Sequence, residues 1–592
     1  MIGLVAVTER GRSAAARLAA AWPRARVYEG PAGQAVPRAF AECGGLVCFL
    51  AVGAAVRIIG PLLHGKHSDP GVVCVDESLR FAVPVAGGHA GGANALAERV
   101  SAELGCTPVI TTASDALGIT PLDDLGADLG FRVEDGSDLA AVGAAVISGE
   151  RVTLTCDGTW PLPALPPNVV STPAPEPGTP AILVTDRVLP PPLGRDLAEI
   201  QPGGLKFLQD HGQGAAVGPR VVYRPPSLAV GVGASRGVAA DEVLGLVDAA
   251  LAEAGLSAAS VLTLATVQAK ADEAGIRTAA ERRGWPMATY PAEVLADVGV
   301  PNPSEAVRVA VGTPSVAEAA ALYAAGARGE LVVAKRRSSN ATVAVARLRP
   351  RGRLTFVGVG PGDRDLLPPR AVAVLRRASV VIGLDQYVEA VSDLFRPGTR
   401  VLASGLGAEE ERASAAVAEA RGGHAVALLG SGDAGIYAMA SPALEMADGS
   451  IDVAGVPGVT AALAAAALLG APLGNDHALI SLSDLHTPWE VIEARVRAAA
   501  EADFVVVFYN PRSVARHWQL ARALAVLGER RRPETPVGIV RGASRPDERS
   551  TLTTLDAVDV EAVDMQTVVI VGSGDTRIVA GRMVTPRGYR WL

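Results

Sequence analysis

The residues best suited to chemistry in this sequence lie in glycine-rich turns that each carry a few polar side chains. One such turn lies in LTFVGVGPGDRDLL (354 to 367), where three glycines follow a short apolar run of strand length. A strand, a glycine turn and a helix together bring backbone amides close to a ligand. Pro369 suits the first position of a helix that we predict over 369 to 377. This stretch therefore predicts a ligand-binding turn at the end of a strand.

The same design recurs later in the chain. VALLGSGDAGIY (426 to 437) again joins an apolar strand to a glycine turn, and VPGVTAA (456 to 462) leads into an Ala/Leu-rich helix. A further strand, FVVVFY, ends at Asn510, and VVIVGSGDT forms another near the C-terminus. A nucleotide-binding dehydrogenase also uses glycine turns. However, GVGPGD lacks the third glycine of the dinucleotide fingerprint, and no ribose-binding acid follows at the expected distance.

The ordered motifs GVGPGD, GSGDAGIY, PGVTAA and YNP resemble those of the tetrapyrrole methylases. SLSDLHTPWE (481 to 490) narrows the resemblance to the precorrin-3B C(17)-methyltransferases of cobalamin biosynthesis. The resemblance covers nearly all of 353 to 592. It implies a fold of two α/β subdomains with S-adenosylmethionine bound in the cleft between them. It also implies C(17) methylation with ring contraction of precorrin-3B or its cobalt form.

The resemblance also assigns site residues by their positions in the motifs. The residues implied to bind S-adenosylmethionine are Pro361, Ser431, Gly432, Asp433, Ile436, Thr460, Ala461, Asn510 and Gly542. Ring contraction requires a proton to be taken from a ring hydroxyl, and the candidates are Asp484, His486 and Glu490. Each of these three is also compatible with an exposed polar residue or a helix cap.

A second group of polar residues lies near the N-terminus. In AGGHAGGANALAERV (86 to 100), four glycines surround His89 and lead directly into a predicted helix. Free amides at a helix N-terminus would suit a carboxylate or phosphate, and His89 would titrate near neutral pH. A crowded turn with one exposed histidine is the alternative. His64 and His67 lie three residues apart, but no third ligand has a recognisable spacing, so we expect no metal site.

Segments around this loop resemble the cobalt-precorrin-5A hydrolases. The N-terminal domain of that family is matched by AVGAAVRIIGPLLHGKHSDPGVVCVDE, GGHAGGANALAE and PVITTASD, and its C-terminal domain by 227 to 348. The resemblance implies that water opens a lactone and acetaldehyde leaves. Such a reaction needs a general base and stabilisation of an oxyanion. The candidate residues are His89, Lys66, Asp69 and Asp115.

Two departures from the hydrolase pattern leave an alternative open. Ala234 and Ser235 stand where that family has Cys and Arg, and Gln268 stands where it has Asp. The loss of a carboxylate removes an acid or base. Residues 1 to 348 would then be a non-catalytic module that binds tetrapyrrole and passes it to the methyltransferase.

The elements that position these residues indicate an α/β protein with several open α/β domains. The chain has 592 residues, 49% hydrophobic and 20% charged, which is typical of a globular protein with several cores. The predicted domains are a hydrolase N-terminal α/β domain (1–129), a proline-rich middle domain (130–226), a hydrolase C-terminal α/β domain (227–348) and the methyltransferase (353–592).

Composition and charge limit the partners and the location. A net charge of -8 argues against a general nucleic-acid partner. The uncharged stretch 453 to 475 is interrupted by prolines, so we expect a buried helix rather than a membrane span. Five cysteines without a C-x-x-C pair indicate a reducing compartment. We therefore expect a cytoplasmic protein with tetrapyrrole substrates and no membrane partner, and the resemblance allows a homodimer through the methylase half.

Overall fold

The computed structural model describes residues 1–65, 68–89, 91–189, 218–513 and 516–589. The chain divides into two compact units. The first contains residues 1–159, 165–350 and 396–398, and the second contains 160–164, 351–395 and 399–592. None of the described helices combines the length and the apolar character that a membrane span requires.

The first unit begins with a six-stranded sheet. Its elements are β1 Ile2–Ala6, α1 Glu9–Ala21, β2 Ala25–Tyr28, α2 Ala32–Glu42, β3 Gly45–Phe49, α3 Val52–Ile59, β4 Gly71–Val75, β5 Phe81–Ala86, α4 Ala93–Leu104, β6 Thr107–Pro108 and α5 Ala113–Ala116. The strand order is β2-β1-β3-β4-β5-β6, and only the β4–β5 pair is antiparallel. β3 and β4 are buried along their whole length, because separate apolar clusters pack against both faces of the sheet.

The middle of the first unit is a five-stranded sheet. Its elements are β7 Arg132–Val133, α6 Leu139–Ser148, β8 Val152–Cys156, β9 Val169–Ser171, β10 Ala181–Val184 and β11 Arg220–Arg224. The apolar runs of RVTLTCD (151 to 157) and AILVTDR (181 to 187) predict strands, and β8 and β10 lie within these segments. The other strands have two to five residues, which is too short for an alternating pattern to predict.

A third sheet completes the first unit. Its elements are β12 Leu228–Ala234, α7 Ala240–Glu253, β13 Val261–Val267, α8 Ala274–Arg283, β14 Met287–Tyr290, α9 Ala292–Ala296, α10 Glu305–Val311, α11 Val316–Ala325, β15 Glu330–Arg337 and β16 Ala341–Arg347. The order is β14-β13-β12-β16-β15. A Cβ at Gly231 would lie 1.9 Å from the Ala317 carbonyl oxygen, so glycine allows α11 to pack directly on β12. Asp186 forms a two-bond ion pair with Arg347, which joins the middle sheet to this one.

The second unit contains two lobes, and the first is an all-parallel sheet. Its elements are β17 Arg353–Gly358, α12 Pro369–Arg377, β18 Val380–Leu384, α13 Asp385–Ala390, β19 Arg400–Ser404, α14 Glu409–Arg421, β20 Ala425–Gly430, α15 Ala440–Met446 and β21 Asp452–Val456. The order β19-β18-β20-β17-β21 makes β17 a neighbour of both β20 and β21. The carboxyl ends of these three strands therefore meet at one edge, which is where ligands bind in open α/β sheets. The helix predicted over 369 to 377 is confirmed as α12.

The second lobe is a mixed sheet with a small three-stranded sheet beside it. Its elements are α16 Ala461–Leu469, β22 Gly470–Ala471, β23 His477–Ser481, α17 Trp489–Glu501, β24 Val505–Tyr509, α18 Gln519–Gly528, β25 Pro536–Arg541, β26 Arg549–Thr554, β27 Thr567–Val571, β28 Arg577–Val579 and β29 Arg582–Val584. The main sheet has the order β23-β24-β27-β25-β26. The helix expected within 453 to 475 is confirmed as α16, whose alanines pack against β24 and β27.

Candidate functional site

Three glycine turns of the second unit meet where β17, β20 and β21 end. The Gly432 amide donates to the Gly360 carbonyl at 2.8 Å, and the Gly360 amide donates to the Gly432 carbonyl at 3.1 Å. A Cβ at Gly458 would lie 1.9 Å from the Gly432 carbonyl oxygen. Gly360 and Gly432 also have φ values of 75° and 62°, in the left-handed region that favours glycine. The glycines thus allow the three turns to pack backbone against backbone.

Asp433 ties two of these turns together. Its Oδ1 accepts a hydrogen bond from the Gly435 amide at 2.8 Å, and its Oδ2 accepts one from the Gly458 amide at 3.0 Å. Each carboxylate oxygen can accept a further bond, so these contacts leave capacity for a ligand. The sequence predicts Asp433 as a ligand contact, and the structure adds a role in holding the second turn against the third.

The third turn is joined to the end of β24 by tyrosine hydroxyls. Thr460 Oγ1 lies 2.5 Å from Tyr509 Oη, which also accepts a hydrogen bond from the Ala462 amide at 3.0 Å. Burial raises the pKa of Tyr509, so its hydroxyl stays neutral. The ring of Tyr437 lies 5.3 Å from that of Tyr509, and Tyr437 Oη donates to the Leu479 carbonyl at 2.7 Å. Sequence analysis missed both tyrosines as site residues, although both stand inside the motifs GSGDAGIY and YNP.

Backbone strain is concentrated in the same region. Tyr437, Asn510 and Ser544 have φ values of 51°, 51° and 61°, in the left-handed region. Residues with side chains avoid this region, and such strain is often found at functional sites. Asn510 is itself a predicted cofactor residue, and the other two lie next to or near Ile436 and Gly542. The strained positions therefore coincide with the predicted cofactor-binding segments.

A cavity of about 230 Å³ opens beside the first two turns. Pro361 and Ser431, both predicted to bind the cofactor, line it. Arg364, Tyr387 and Arg545 also line it, and sequence analysis did not predict them. The structure therefore brings two predicted residues together at one cavity and adds a polar and cationic wall.

The three candidate bases of the second lobe are all exposed. Gln519, which is 2% exposed, donates through Nε2 to Asp484 Oδ2 at 2.9 Å, so Asp484 is held in place by a buried amide. Glu490 lies in the first turn of α17, where an acidic side chain stabilises a helix. His486 is exposed in the loop before that helix. Asp484 is thus the candidate with a fixed orientation.

The first unit contains a histidine–aspartate pair, which we call the His89–Asp115 pair. His89 Nε2 lies 2.8 Å from Asp115 Oδ2, and the His89 side chain is 12% exposed. Asp115 Oδ2 also accepts hydrogen bonds from Asn94 Nδ2 at 2.8 Å and from Thr112 Oγ1. The structure thus brings together two of the four residues predicted for the hydrolase reaction.

Electrostatics couple the two members of this pair. The hydrogen bond from His89 is the largest cause that lowers the pKa of Asp115 to about 2. The same bond is the main cause that raises the pKa of His89, although burial opposes it; Asp124 and Asp123 also raise it. The pair therefore favours an imidazolium next to a carboxylate more strongly than an isolated histidine would.

The glycines around His89 have a folding role that the sequence did not reveal. A Cβ at Gly91 would lie 2.8 Å from Gly87 Cα and 2.9 Å from the Gly71 amide nitrogen. The amides of Ala93 and Asn94 donate to the carbonyls of Gly87 and Gly88 at 2.9 and 3.0 Å. The expectation that these helix amides are free for a ligand is therefore wrong, because the glycine loop folds back and occupies them.

Of the other two predicted hydrolase residues, Asp69 lies in the loop before β4. Asp69 Oδ2 accepts hydrogen bonds from the amides of His64 and Gly65, both at 3.0 Å, so its carboxylate holds the loop. Lys66 lies outside the described residues, as does His67. Within the described residues, no group of three or more His, Cys, Asp or Glu is arranged to hold a metal ion.

The turn that departs from the hydrolase pattern is closed by another carboxylate. Glu273 Oε1 accepts from the Gly237 amide at 2.7 Å, and its Oε2 accepts from Lys270 Nζ at 3.1 Å. Ser235 donates its amide to the Asn340 carbonyl at 2.8 Å. Gln268 begins a short 3₁₀ turn that leads to Lys270. The loop is thus well ordered without the residues usual in that family.

Four family models match this chain. The model of the tetrapyrrole (corrin/porphyrin) methylases matches residues 353–559. The models of the cobalamin synthesis G N-terminus, the cobalamin biosynthesis central region and the cobalamin synthesis G C-terminus match residues 34–115, 120–200 and 228–346, respectively. A probable cobalt-factor III C(17)-methyltransferase of Salmonella typhimurium is 47% identical over 239 residues, which is 40% of this chain and 99% of that protein. A precorrin-3B C(17)-methyltransferase of Sinorhizobium sp is 41% identical over 40% of this chain and 97% of that protein. A crystal structure of the methyltransferase CobJ has 38% identity, covers 40% of this chain and all of that chain, and has a TM-score of 0.39.

The residues at the turns fit the methyl donor of this family, S-adenosylmethionine. The glycines bring the backbones of three turns together at the strand ends, and the cavity beside the first two turns is lined by Pro361 and Ser431. Backbone groups and a small cavity suit a zwitterionic ligand that must be approached closely. Through its C-terminal part the chain belongs to the tetrapyrrole methylase family, and its residues 34–346 carry the three cobalamin synthesis G segments.

Proposed function

We propose that this chain is a bifunctional enzyme of cobalamin biosynthesis. The second unit would methylate C(17) of precorrin-3B, or of its cobalt form, and contract the ring. The first unit would open the lactone of cobalt-precorrin-5A with loss of acetaldehyde. Two relatives whose full length is almost completely covered by this chain are named as C(17)-methyltransferases, and this supports the first activity. The cobalamin synthesis G segments support the second.

The interlocked glycine turns carry the proposal for methyl transfer. The residues that would hold S-adenosylmethionine are Pro361, Ser431, Gly432, Asp433, Ile436, Thr460, Ala461, Asn510 and Gly542. When bound, this cofactor supplies a methyl group already activated by its sulfonium. The chain then needs mainly to position the reactants and exclude water. Backbone-to-backbone packing of the turns supports this role, because such packing leaves little freedom for a bound ligand to misalign.

The proton acceptor that we propose for ring contraction is Asp484. Its carboxylate is exposed, and the Gln519 amide orients it through a hydrogen bond of 2.9 Å. A base must reach the proton that it removes in a fixed geometry, which favours an oriented carboxylate. His486 and Glu490 remain candidates, but Glu490 already has a stabilising position at the start of α17.

The His89–Asp115 pair carries the proposal for lactone opening. With Nε2 donating to Asp115, the neutral imidazole has Nδ1 available to take a proton from water. Asp115 would fix the tautomer and stabilise the imidazolium that forms, as a carboxylate does beside a catalytic histidine. Asn94 and Thr112 hold Asp115 in position. Lys66 and Asp69 remain proposed contributors, with Asp69 acting through the shape of its loop.

One experiment with two readouts tests both activities. The full chain is incubated with labelled S-adenosylmethionine and with metal-free or cobalt-loaded precorrins, and label transfer and acetaldehyde are measured separately. We expect His89→Ala to stop acetaldehyde release while methyl transfer continues at the parent rate. Acetaldehyde release at the parent rate in His89→Ala would contradict the role of the pair.

A second candidate function for the first unit is tetrapyrrole binding and transfer without catalysis. It is favoured by Ala234, Ser235 and Gln268, which replace a thiol, a guanidinium and a carboxylate. The amides of Ser235 and Gly237 have hydrogen-bond partners without those groups. The same experiment separates the two candidates. Methyl transfer by the parent without any acetaldehyde would establish the binding role.

We also propose a homodimer through the methylase half and a cytoplasmic location. The edge strand β19 supports the dimer, because Val401 and Leu402 are 42% and 37% exposed on its opposite faces. The five cysteines all lie in the described part of the chain and none forms a disulfide there, which supports a reducing compartment. Light scattering on the full chain would test the dimer.

A further inference from the structure

The cavity beside the first glycine turn has a wall that the proposed cofactor residues do not explain. Besides Pro361 and Ser431, its lining includes Arg364, Tyr387 and Arg545. S-adenosylmethionine is a net cation, with a sulfonium and an ammonium against a single carboxylate. Two guanidinium groups therefore suit it less well than they suit a ligand with several carboxylates. This wall is therefore suited to a different, anionic ligand.

Arg545 is held in place by the turn itself. Its Nε donates to the Pro361 carbonyl at 3.1 Å. A Cβ at Gly362 would lie 2.6 Å from Arg545 Cγ, so the glycine makes room for the stem of this side chain. One hydrogen bond and one close packing contact thus fix the guanidinium at the edge of the cavity. Its two terminal nitrogens are left to bind a ligand.

The acidic side chains near Arg545 make their hydrogen bonds and ion pairs with other groups. Among the described residues, Arg545 forms no salt bridge, whereas Arg364 is paired with Asp393. Its acidic neighbour Asp547 is paired instead with Arg541, and Glu548 accepts from the Ser544 amide. Asp363, also in the cavity wall, accepts from the Asp365 amide. Arg545 is therefore a half-buried cation that no carboxylate of the described residues contacts within ion-pair distance.

We propose that Arg545 binds a carboxylate of the tetrapyrrole substrate, through one of its acetate or propionate side chains. This inference rests on the proposed function of the second unit. A guanidinium binds a carboxylate through two parallel hydrogen bonds, which adds geometric specificity to charge attraction. Because the same cavity is lined by Pro361 and Ser431, a macrocycle held at Arg545 lies next to the proposed cofactor turns. Arg545 is thus a substrate-binding residue that sets the position of the ring.

Steady-state methyl transfer by the full chain tests this role. The variants are Arg545→Gln, which removes the charge, Arg545→Lys, which keeps it, and Arg370→Gln as a control. Arg370 is an exposed arginine of α12 that does not line the cavity. We expect Arg545→Gln to raise the KM for the tetrapyrrole about tenfold or more, because a charged hydrogen bond is lost. The KM of this variant for S-adenosylmethionine should stay within about twofold of the parent value. Arg545→Lys should raise the KM for the tetrapyrrole less than Arg545→Gln does, and Arg370→Gln should leave it unchanged.

Three results would overturn the inference. An unchanged KM for the tetrapyrrole in Arg545→Gln would show that this side chain does not contact the substrate. An equal rise in both KM values, with a lower melting temperature, would mean that Arg545 only supports the Pro361 turn. If the parent transfers no methyl group to any tetrapyrrole, the proposed function fails, and this inference falls with it.

Discussion

At the scale of single residues, the His89–Asp115 pair gives the first unit a pH dependence with a defined sign. A hydrogen bond to Asp115 raises the pKa of His89, and the imidazole can act as a base only when it is neutral. Acetaldehyde release should therefore increase with pH as the solution passes through this raised pKa. Because the folded pKa is raised, the stability contributed by His89 is present at low pH and is lost as pH rises through that value.

Asp115→Asn tests this coupling directly. The amide cannot carry the charge that holds the imidazolium, so the pKa of His89 should fall. The pH profile of acetaldehyde release should then move to lower pH, with a lower maximum rate because the orienting carboxylate is lost. The pH profile of methyl transfer serves as an internal control and should not move. A profile of acetaldehyde release that keeps its midpoint in Asp115→Asn would contradict the coupling.

At the scale of elements, the three glycine turns form one structural unit at the edge of the β17, β20 and β21 sheet. The contacts that define it are hydrogen bonds between backbone groups and the two bonds accepted by Asp433. The order of the strands makes this possible, because β17 lies between β20 and β21. The turns are therefore positioned by the sheet and then fixed against one another.

Gly458→Ala should disrupt this unit. The added Cβ would lie 1.9 Å from the Gly432 carbonyl oxygen, so one of the two turns would have to move. We expect the second unit to lose about 3 kcal/mol or more of unfolding free energy, as in other substitutions that force a backbone clash. Gly455→Ala, in β21 just before that turn, places a Cβ that meets nothing within 4 Å and is the matched control. Equal melting temperatures for the two variants would show that the close packing of the three glycine turns does not contribute to stability.

The sequence predicts the elements around the methylase site well, because strong apolar runs end in glycine turns. α12 and α16 appear where Pro369 and the Ala/Leu-rich segment predict them. The sequence does not reveal which distant segment packs against each glycine, because that contact depends on the order of the strands in the sheet. The loop around His89 shows this, since its glycines pack on one another and on Gly71. Contacts between distant residues, such as Arg545 with Pro361, are hidden for the same reason.

At the scale of the whole molecule, each compact unit has its own sheets and cores. The second unit consists of residues 351–395 and 399–592 together with 160–164. Both of its lobes, all three glycine turns and the cavity lie beyond residue 350. The proposed methyltransferase site is therefore contained within one continuous stretch of chain.

A fragment of residues 351 to 592 should fold and bind S-adenosylmethionine. It lacks only residues 160–164 of the second unit, and it retains the apolar clusters of both lobes. Isothermal titration calorimetry of the fragment and the full chain measures the affinity, and circular dichroism checks the fold. A folded fragment with no detectable binding would show that the site needs residues outside this stretch.

The interlocked turns also constrain how this enzyme can vary. A clash with a side chain can be relieved by a smaller residue elsewhere, but the carbonyl oxygen of Gly432 and the amide of Gly458 are present whatever the neighbouring residue types. Loss of one glycine therefore has no second-site suppressor among the side chains around it. A Cβ at Gly358 would likewise lie 2.6 Å from the Gly458 amide nitrogen and 2.7 Å from the Gly432 carbonyl oxygen. The genetic consequence that we expect is that Gly358, Gly432 and Gly458 are retained together.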